Sequence, residues 1–394
     1  MTFNSAQVTR PGRRELGRAL LESCSMSSDW APAFAAVDRA TFLPDLMWPF
    51  DMGRGADSPP VRRSDDPGAW YSAVDSNIPI VTQWDDGKHR GTKPGKVSTS
   101  SSSMPSVVYS LLRTLDVAEG MRVLDVGTGT GETAGLLTHQ CGRGHVTTVE
   151  VDRSVSLRAR EQLFTAGLYP EVVVGDGLAG CVDRAPYDRI LATVGLREIP
   201  GAWLEQTRSG GLIVAPWGTH YSHADVVACL EVKGNGTASG QFTRPVEFMK
   251  LRTQRLSLAD HAVYVPAGTM ERADTSATAI TEAEFVTGKY TAVPFALGLR
   301  VRDCTQAVAD KRDGARPVWF YGLNDRSWAC VMFRDGRAEA RVWQSGPRRL
   351  WDEVETAYRW WVGHGNPDHT RFGLTVTSEG QRAWLDDPAE SWAV

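Results

Sequence analysis

The chain has 394 residues, 23% of them charged, with a formal net charge of −4. That length leads us to expect two domains, or one domain with large additions. The near-neutral balance gives no electrostatic reason for a nucleic-acid partner, and no apolar run reaches the length of a membrane span, so neither partner is expected and the location is read as cytoplasmic.

Residues 6–50 read as short helices. Pro11 stands near a first turn, Leu16, Leu20 and Leu21 form an apolar stripe, and AFAAVDRATFL is stopped by Pro44. Residues 51–76 are rich in Gly, Pro and charge and read as a long surface loop. A strand-like IPIVTQW (78–84) precedes the irregular stretch DDGKHRGTKPGKVSTSSSS (85–103). Its basic residues Lys88, His89, Arg90, Lys93 and Lys96 read either as a solvated loop or as a clamp on an acidic peptide; its serines read either as a flexible linker or as part of a site. A helix follows Pro105, with Val108, Leu111, Leu112 and Leu115 on one face.

Strands at 122–126, 145–151, 171–174, 188–194 and 211–218 then alternate with helices at 131–139, 154–166 and 200–207. This period predicts a doubly wound α/β fold, a mainly parallel sheet with helices on both faces and ligands at the carboxyl ends of its strands. Asp125, Glu150, Asp176 and Thr193 fall at or just beyond such ends. VVACLEV (226–232) and PVEFMKLR (245–252) read as a hairpin closing the sheet.

From about residue 253 the alternation stops. AVPFALGLRV is strand-like, and WFYG, SWACVMFR and AEARVWQ read as short antiparallel strands. A helix runs from Pro347 to Gly363, RFGLTVT (371–377) is a strand, and a polar tail ends the chain. The expected partition is a helical cap and loop over 1–95, a core over 96–252, and an α+β domain over 253–394. Eight of the fourteen tryptophans lie beyond residue 300, as an aromatic core or as a groove for a peptide. The six cysteines lack paired spacing, which fits free thiols and leaves no readable metal site.

The segment VLDVGTGTGETAGLLTHQCGRGHVTTVEVD (123–152) carries the clearest chemistry. Its glycines stand at 127, 129 and 131, whereas a dinucleotide loop needs a glycine where Glu132 stands, and no Gly-Lys-Ser/Thr follows to bind phosphates. What remains suits a nucleoside without phosphates, such as S-adenosylmethionine. The glycines let the backbone approach the ligand, and Glu150 can accept bonds from ribose hydroxyls. Asp125, Thr128 and Val151 complete the candidate cofactor set around the loop and its acid.

In combination, SMPS (103–106), VLDVGTGTGETAGLL (123–137), VTTVEVD (146–152), VVVGDGLAG (172–180), APYDRILAT (185–193) and SGGLIVAPWG (209–218) resemble the protein-L-isoaspartate O-methyltransferases. The resemblance implies a Rossmann-like class I methyltransferase with a seven-stranded sheet. Such an enzyme methylates a carboxylate from S-adenosylmethionine and releases S-adenosylhomocysteine. The match carries over Ser103 as the active-site hydroxyl, Gly127, Gly129 and Gly131 as the cofactor loop, Glu150 as the ribose acid, and Asp176 with Gly177 as the adenine contact. An ionised carboxylate needs hydrogen-bond donors rather than a base, and Ser103, its neighbours Ser101 and Ser102, and Thr193 are the candidates.

Three features depart from that family. Glu132 stands where an aromatic residue is common, Met104 where Gln or Ala is frequent, and the chain extends well past the usual length. TQWDDG, SSSSMP, RRLWDEVETAYRWW and RFGLTVT look more like actinobacterial methyltransferases encoded with lanthipeptides and graspetides. That likeness implies methylation of an aspartate in a ring-modified precursor peptide, giving an aspartimide that either persists or hydrolyses to isoaspartate, with the pathway's ligase or cyclase as a further partner. The alternatives are a general isoaspartyl repair enzyme and a non-catalytic scaffold that binds the cofactor.

Overall fold

The computed structural model describes residues 10–288 and 290–394; residues 6–9 of the first expected helical stretch lie outside them. Contact density divides the chain into two units. The first runs to Val194 and adds Pro200–Ala215 and Cys229–Ala238; the second comprises Gly195–Ile199, Pro216–Ala228 and Ser239–Val394.

The first unit opens with α1 (Pro11–Glu22), α2 (Ala31–Ala36) and α3 (Arg39–Phe42). Pro11 occupies the first turn of α1, and Leu16 and Leu20 are buried as the stripe requires. Asp38 caps α3 through the amide of Ala40. The expected loop over 51–76 is instead partly built. After β1 (Leu46–Asp51), β2 (Ala56–Asp57) and β3 (Val61–Arg62) comes α4 (Pro67–Val74). Asp66 caps α4 through the amide of Ala69, and Trp70, Ala73 and Val74 are its buried face. Cap, proline and apolar spacing were all present in DPGAWYSAV, masked by the polar residues around them.

β4 (Ile80–Trp84) pairs antiparallel with β5 (Ser98–Ser102), so the serine run is a strand and not a linker. Serine has little strand preference of its own, and pairing against an apolar neighbour overrides it. The basic loop between them is tied down. Asp85 accepts from the amides of Lys96 (3.1 Å) and Val97 (2.8 Å), and Trp48 Nε1 donates to the Thr92 carbonyl (2.7 Å). Lys88, Arg90, Lys93 and Lys96 point outward and are exposed.

The core follows as α5 (Pro105–Leu115), β6 (Val123–Val126), α6 (Glu132–Cys141), β7 (Val146–Glu150), α7 (Arg153–Thr165), β8 (Glu171–Val174), β9 (Tyr187–Ala192), α8 (Gly201–Gln206) and β10 (Thr207–Trp217). The strands are parallel in the order β10-β9-β6-β7-β8. The order reverses between β6 and β9, which opens a crevice at their carboxyl ends. The hairpin of β11 (Asp225–Lys233) and β12 (Thr237–Val246), whose tip belongs to this unit, follows β10 in the same sheet, which has ten strands rather than the expected seven. α6 packs on β6 and β7, α7 on β7 and β8, and α5 on β9; α2 and α3 in turn cover α6 and α7. Gly135 permits the closest part of that cover, since a Cβ there would stand 3.2 Å from Phe42 and 3.1 Å from Leu168.

The second unit contains α9 (His261–Tyr264), β13 (Asp274–Thr278), α10 (Glu282–Phe285), α11 (Ala292–Gly298), β14 (Cys304–Val308), β15 (Ala315–Gly322), β16 (Trp328–Arg334), β17 (Ala340–Ser345), α12 (Leu350–Gly363), β18 (Phe372–Thr377), β19 (Gly380–Leu385) and β20 (Ser391–Ala393). An antiparallel sheet, β13-β17-β16-β15-β14, carries α12 on one face, where Leu350, Trp351 and Val354 meet Val318, Phe320 and Val331. Its other face holds Trp328, Tyr321 and Cys330 beneath Tyr264, with Trp319 and Trp343 half-buried. Most of the tryptophans are thus packing residues.

Two expectations fail in this unit. AVPFALGLRV forms helix α11, because a short apolar run bears no period that separates helix from strand. The polar tail forms β19 and β20, which extend β18 edge to edge. The unit also takes in residues 195–199, 216–228 and 239–252, which the sequence pattern assigns to the core. Among the described residues no helix is long and apolar enough to cross a membrane.

Candidate cofactor and acceptor site

The turn after β6 is shaped by its glycines. Gly127 has φ 96°, and a Cβ on it would stand 2.7 Å from Val194 Cγ1 and 3.3 Å from Thr193 Oγ1, so no larger residue fits. Its amide donates to the Val149 carbonyl (2.9 Å), and its carbonyl accepts from Thr193 Oγ1 (2.9 Å). Gly131 then caps α6 in the left-handed region.

Asp125 lies beneath this turn and is fully buried. Its Oδ2 accepts from Thr148 Oγ1 (2.8 Å), so in the adjoining 2.7 Å contact Thr128 is the donor to Thr148. Oδ1 has no hydrogen-bond partner among the described residues. Burial, reinforced by the charge of Glu150 and opposed by the Thr148 bond, pushes the Asp125 carboxyl up to about 7.

Glu150 ends β7, the strand beside β6. Its Oε2 accepts from the Gly129 amide and its Oε1 from the Asp152 amide, both at 3.0 Å. These two bonds fix the carboxylate in place at the strand tip. The GDG turn joins the same edge, since the Gly175 amide donates to the Glu150 carbonyl (3.0 Å). Asp176 is exposed and accepts from Leu178 N (3.0 Å), and the carbonyl of buried Gly177 takes a bond from Trp203 Nε1 (2.8 Å). Val151 is 46% exposed on this rim.

β5 lies directly on the glycine turn. A Cβ on Gly129 would stand 3.5 Å from the Ser101 carbonyl oxygen, and Gln83 on β4 reaches Asp152 at 3.2 Å. Alternation along the strand sorts the serines. Ser102 is buried, accepting from Arg39 Nε (2.8 Å) and donating to Glu132 Oε2 (2.9 Å). Ser101 and Ser103 are half-buried, and among the described residues their hydroxyls make no hydrogen bond.

The sequence-derived candidates thus divide. Asp125, Gly127, Thr128, Gly129, Gly131, Glu150, Val151, Asp176 and Gly177 gather at the carboxyl ends of β6, β7 and β8. The hydroxyls of Ser102 and Thr193 are engaged in holding the site's own backbone and partners, which leaves Ser103 and Ser101 as the free donors. Arg39 was missed. It is 5% exposed, and besides Ser102 Oγ its guanidinium reaches the carbonyls of Val74 (3.2 Å), Ser76 (3.2 Å), Ile78 (3.0 Å), Ser102 (3.3 Å) and Ser103 (3.0 Å). An arginine in AFAAVDRATFL gives no local sign of a partner more than sixty residues away.

The sheet order and glycine turn are those of the Rossmann-like class I S-adenosylmethionine-dependent methyltransferases. A solved structure of a protein-L-isoaspartate O-methyltransferase shares the fold at 21% identity and a TM-score of 0.53, covering 95% of this chain and all of that one. Residues 90–256 match the family model for protein-L-isoaspartate(D-aspartate) O-methyltransferase. Among the relatives that carry the name protein-L-isoaspartate O-methyltransferase are two from bacteria. The one from Thermotoga maritima is 32% identical over 139 residues, which is 35% of this chain and 41% of that protein. One from Polaromonas sp., numbered 2, is 35% identical over 155 residues, 39% of this chain and 72% of that protein. The chain belongs to the protein-L-isoaspartate O-methyltransferase family. It spans 41% of the length of the Thermotoga relative, and 51% of another from Methanococcus maripaludis.

Proposed function

We propose that this protein methylates the free carboxylate of L-isoaspartyl residues in proteins and peptides, using S-adenosylmethionine and leaving S-adenosylhomocysteine. The observation that supports this best is the seating of β5 on the glycine turn, with the uncommitted hydroxyls of Ser101 on that strand and of Ser103 just past its end.

The residues present fit the cofactor. The orphaned Asp125 oxygen suits a cationic amino end, Glu150 suits a ribose diol, and Gly127 in the turn after β6 is closed to any side chain. The cofactor supplies a methyl carbon already activated on a sulfonium sulfur, so the carboxylate displaces a neutral thioether without acid or base help. The chain's work is alignment and exclusion of water. Ser103 and Ser101 donate to the acceptor carboxylate and orient it while leaving its charge intact. Glu150 and Asp125 hold the cofactor's polar groups, and Asp176 and Val151 flank its base.

The dedicated ring-modified precursor carries less support. Both relatives named above are isoaspartyl enzymes, and a fold likeness covering 95% of the chain means that the extension is not peculiar to this protein. Glu132, the other departure, is engaged by Ser102 and Arg39. The experiment is incubation with S-adenosylmethionine and either a linear isoaspartyl peptide or a cyclised aspartyl peptide, followed by mass measurement. One methyl gained on the linear peptide is expected. Gain on the cyclised peptide alone would favour the precursor reading, and gain on neither would favour a non-catalytic scaffold and sink the proposal. Ser103→Ala should lower turnover by about 10- to 100-fold with cofactor affinity unchanged, the range for losing one oriented hydrogen bond to a charged group.

A further inference from the structure

Arg39 and Glu132 meet across the site from opposite sides. Arg39 opens α3 in the N-terminal cap; Glu132 is the first residue of α6, the helix that the glycine turn begins. Their closest approach is 3.6 Å, and Ser102 lies between them, accepting from one and donating to the other. Arg39 also holds the carbonyls of Ser102 and Ser103. One guanidinium on α3 thus holds the end of β5 at three points.

Stability alone is a poor reason for such a pair. Taking two charges out of water costs several kcal/mol per ion, about what their attraction returns, and an apolar pair of similar size often serves as well. A charged pair does impose a defined geometry, because each partner has a fixed set of hydrogen bonds to satisfy. Here the geometry links the end of β5, next to Ser103, to the helix that follows the glycine turn.

We propose that Arg39 and Glu132 are positioning residues, which act through Ser102 to fix Ser103 relative to the glycine turn. This rests on the isoaspartyl methyltransferase reading for its kinetic consequences, though not for its geometry. Neither residue touches the reacting atoms. Their removal shifts Ser103, so it lowers kcat and leaves cofactor affinity alone.

The test uses the full chain with Glu132→Gln, which keeps an acceptor for Ser102 but removes the charge. Arg39→Lys, which keeps the charge but loses the planar fork, is the second variant. Each should lower kcat by about 10- to 100-fold, the scale set by an ångström-level misplacement. The S-adenosylmethionine Kd should stay within about twofold, since the cofactor contacts are intact. The decisive comparison repeats each change in a Ser103→Ala background. If the pair acts through Ser103, the further loss there shrinks to less than about threefold, the coupling expected of residues that work as a unit. An equal loss in both backgrounds, or an unchanged kcat, would overturn the proposal.

If the wild-type chain gains no methyl activity on isoaspartyl peptides, the functional reading fails by itself. Hydrogen exchange across residues 98–104 then decides the proposal. Faster exchange of that segment in Glu132→Gln, with β6 and α6 unchanged, supports it, and unchanged exchange overturns it.

Discussion

Asp125 couples protonation to folding. Its carboxyl stands at about 7 in the folded chain against an ordinary 3.8, chiefly because burial disfavours the charge. With the folded value raised, the native state holds a proton that the unfolded chain has released between these two values. Stability from this group is therefore full at low pH and lost as pH rises from about 4 through 7. Asp125→Asn keeps an acceptor for Thr148 and cannot ionise, so the fall should vanish. Urea unfolding of both proteins at several pH values between about 5 and 8 checks it, and parallel curves would refute the assignment. Glu150→Ala removes the fixed acceptor at the strand tip and should weaken S-adenosylmethionine by about 10- to 100-fold, a charged hydrogen bond's worth; titration calorimetry reads this directly. Both residues were legible in the sequence because acids at strand ends keep a fixed spacing from the glycines. Arg39 was not, since its partners come from residues 74–78, 102, 103 and 132, brought together only by the fold.

At the scale of elements, the α/β core was readable almost strand by strand because two periods, of 2 and 3.6, alternate there over long stretches. The serine strand β5 was not, as its residues have neither apolar alternation nor strand preference, and only the register Ile80↔Ser102 and Val81↔Ser101 makes it a strand. Helix α11 was misread for the opposite reason, being apolar throughout, with Val293, Phe295, Ala296 and Leu297 all buried. The cap of α7 yields a further prediction. Asp152 accepts from the amides of Ser154 (2.9 Å) and Val155 (3.1 Å), and from Gln83 Nε2 on β4. Asp152→Ala should cost about 1 kcal/mol, the usual worth of an N-cap, seen as a lower urea midpoint at unchanged m-value. It should also quicken hydrogen exchange in β4 through the lost Gln83 bond. A midpoint unchanged by the substitution would show that the cap is replaced by solvent.

At the scale of the whole molecule, the division into two units cuts across the sequence, because stretches 195–199 and 216–228 leave the core's chain order to join the second unit. No composition change marks those crossings, which is why a boundary at residue 252 looked natural. The division makes a prediction about ligand linkage. Every residue assigned to the cofactor, from Asp125 to Gly177, lies in the first unit. A ligand that binds only the folded form stabilises by RT ln(1 + [L]/Kd), about 2.7 kcal/mol at a hundredfold excess over Kd. With S-adenosylmethionine at that excess, amides of the first unit that exchange only through its unfolding should slow by about 100-fold. The reporters are β6, β7 and α6. If the second unit opens independently, amides of β15, β16 and α12 should keep their rates, because they exchange without disturbing the bound ligand. Equal slowing in both units would mean that they unfold together as one cooperative body, and slowing in neither would remove the first unit as the site of cofactor binding.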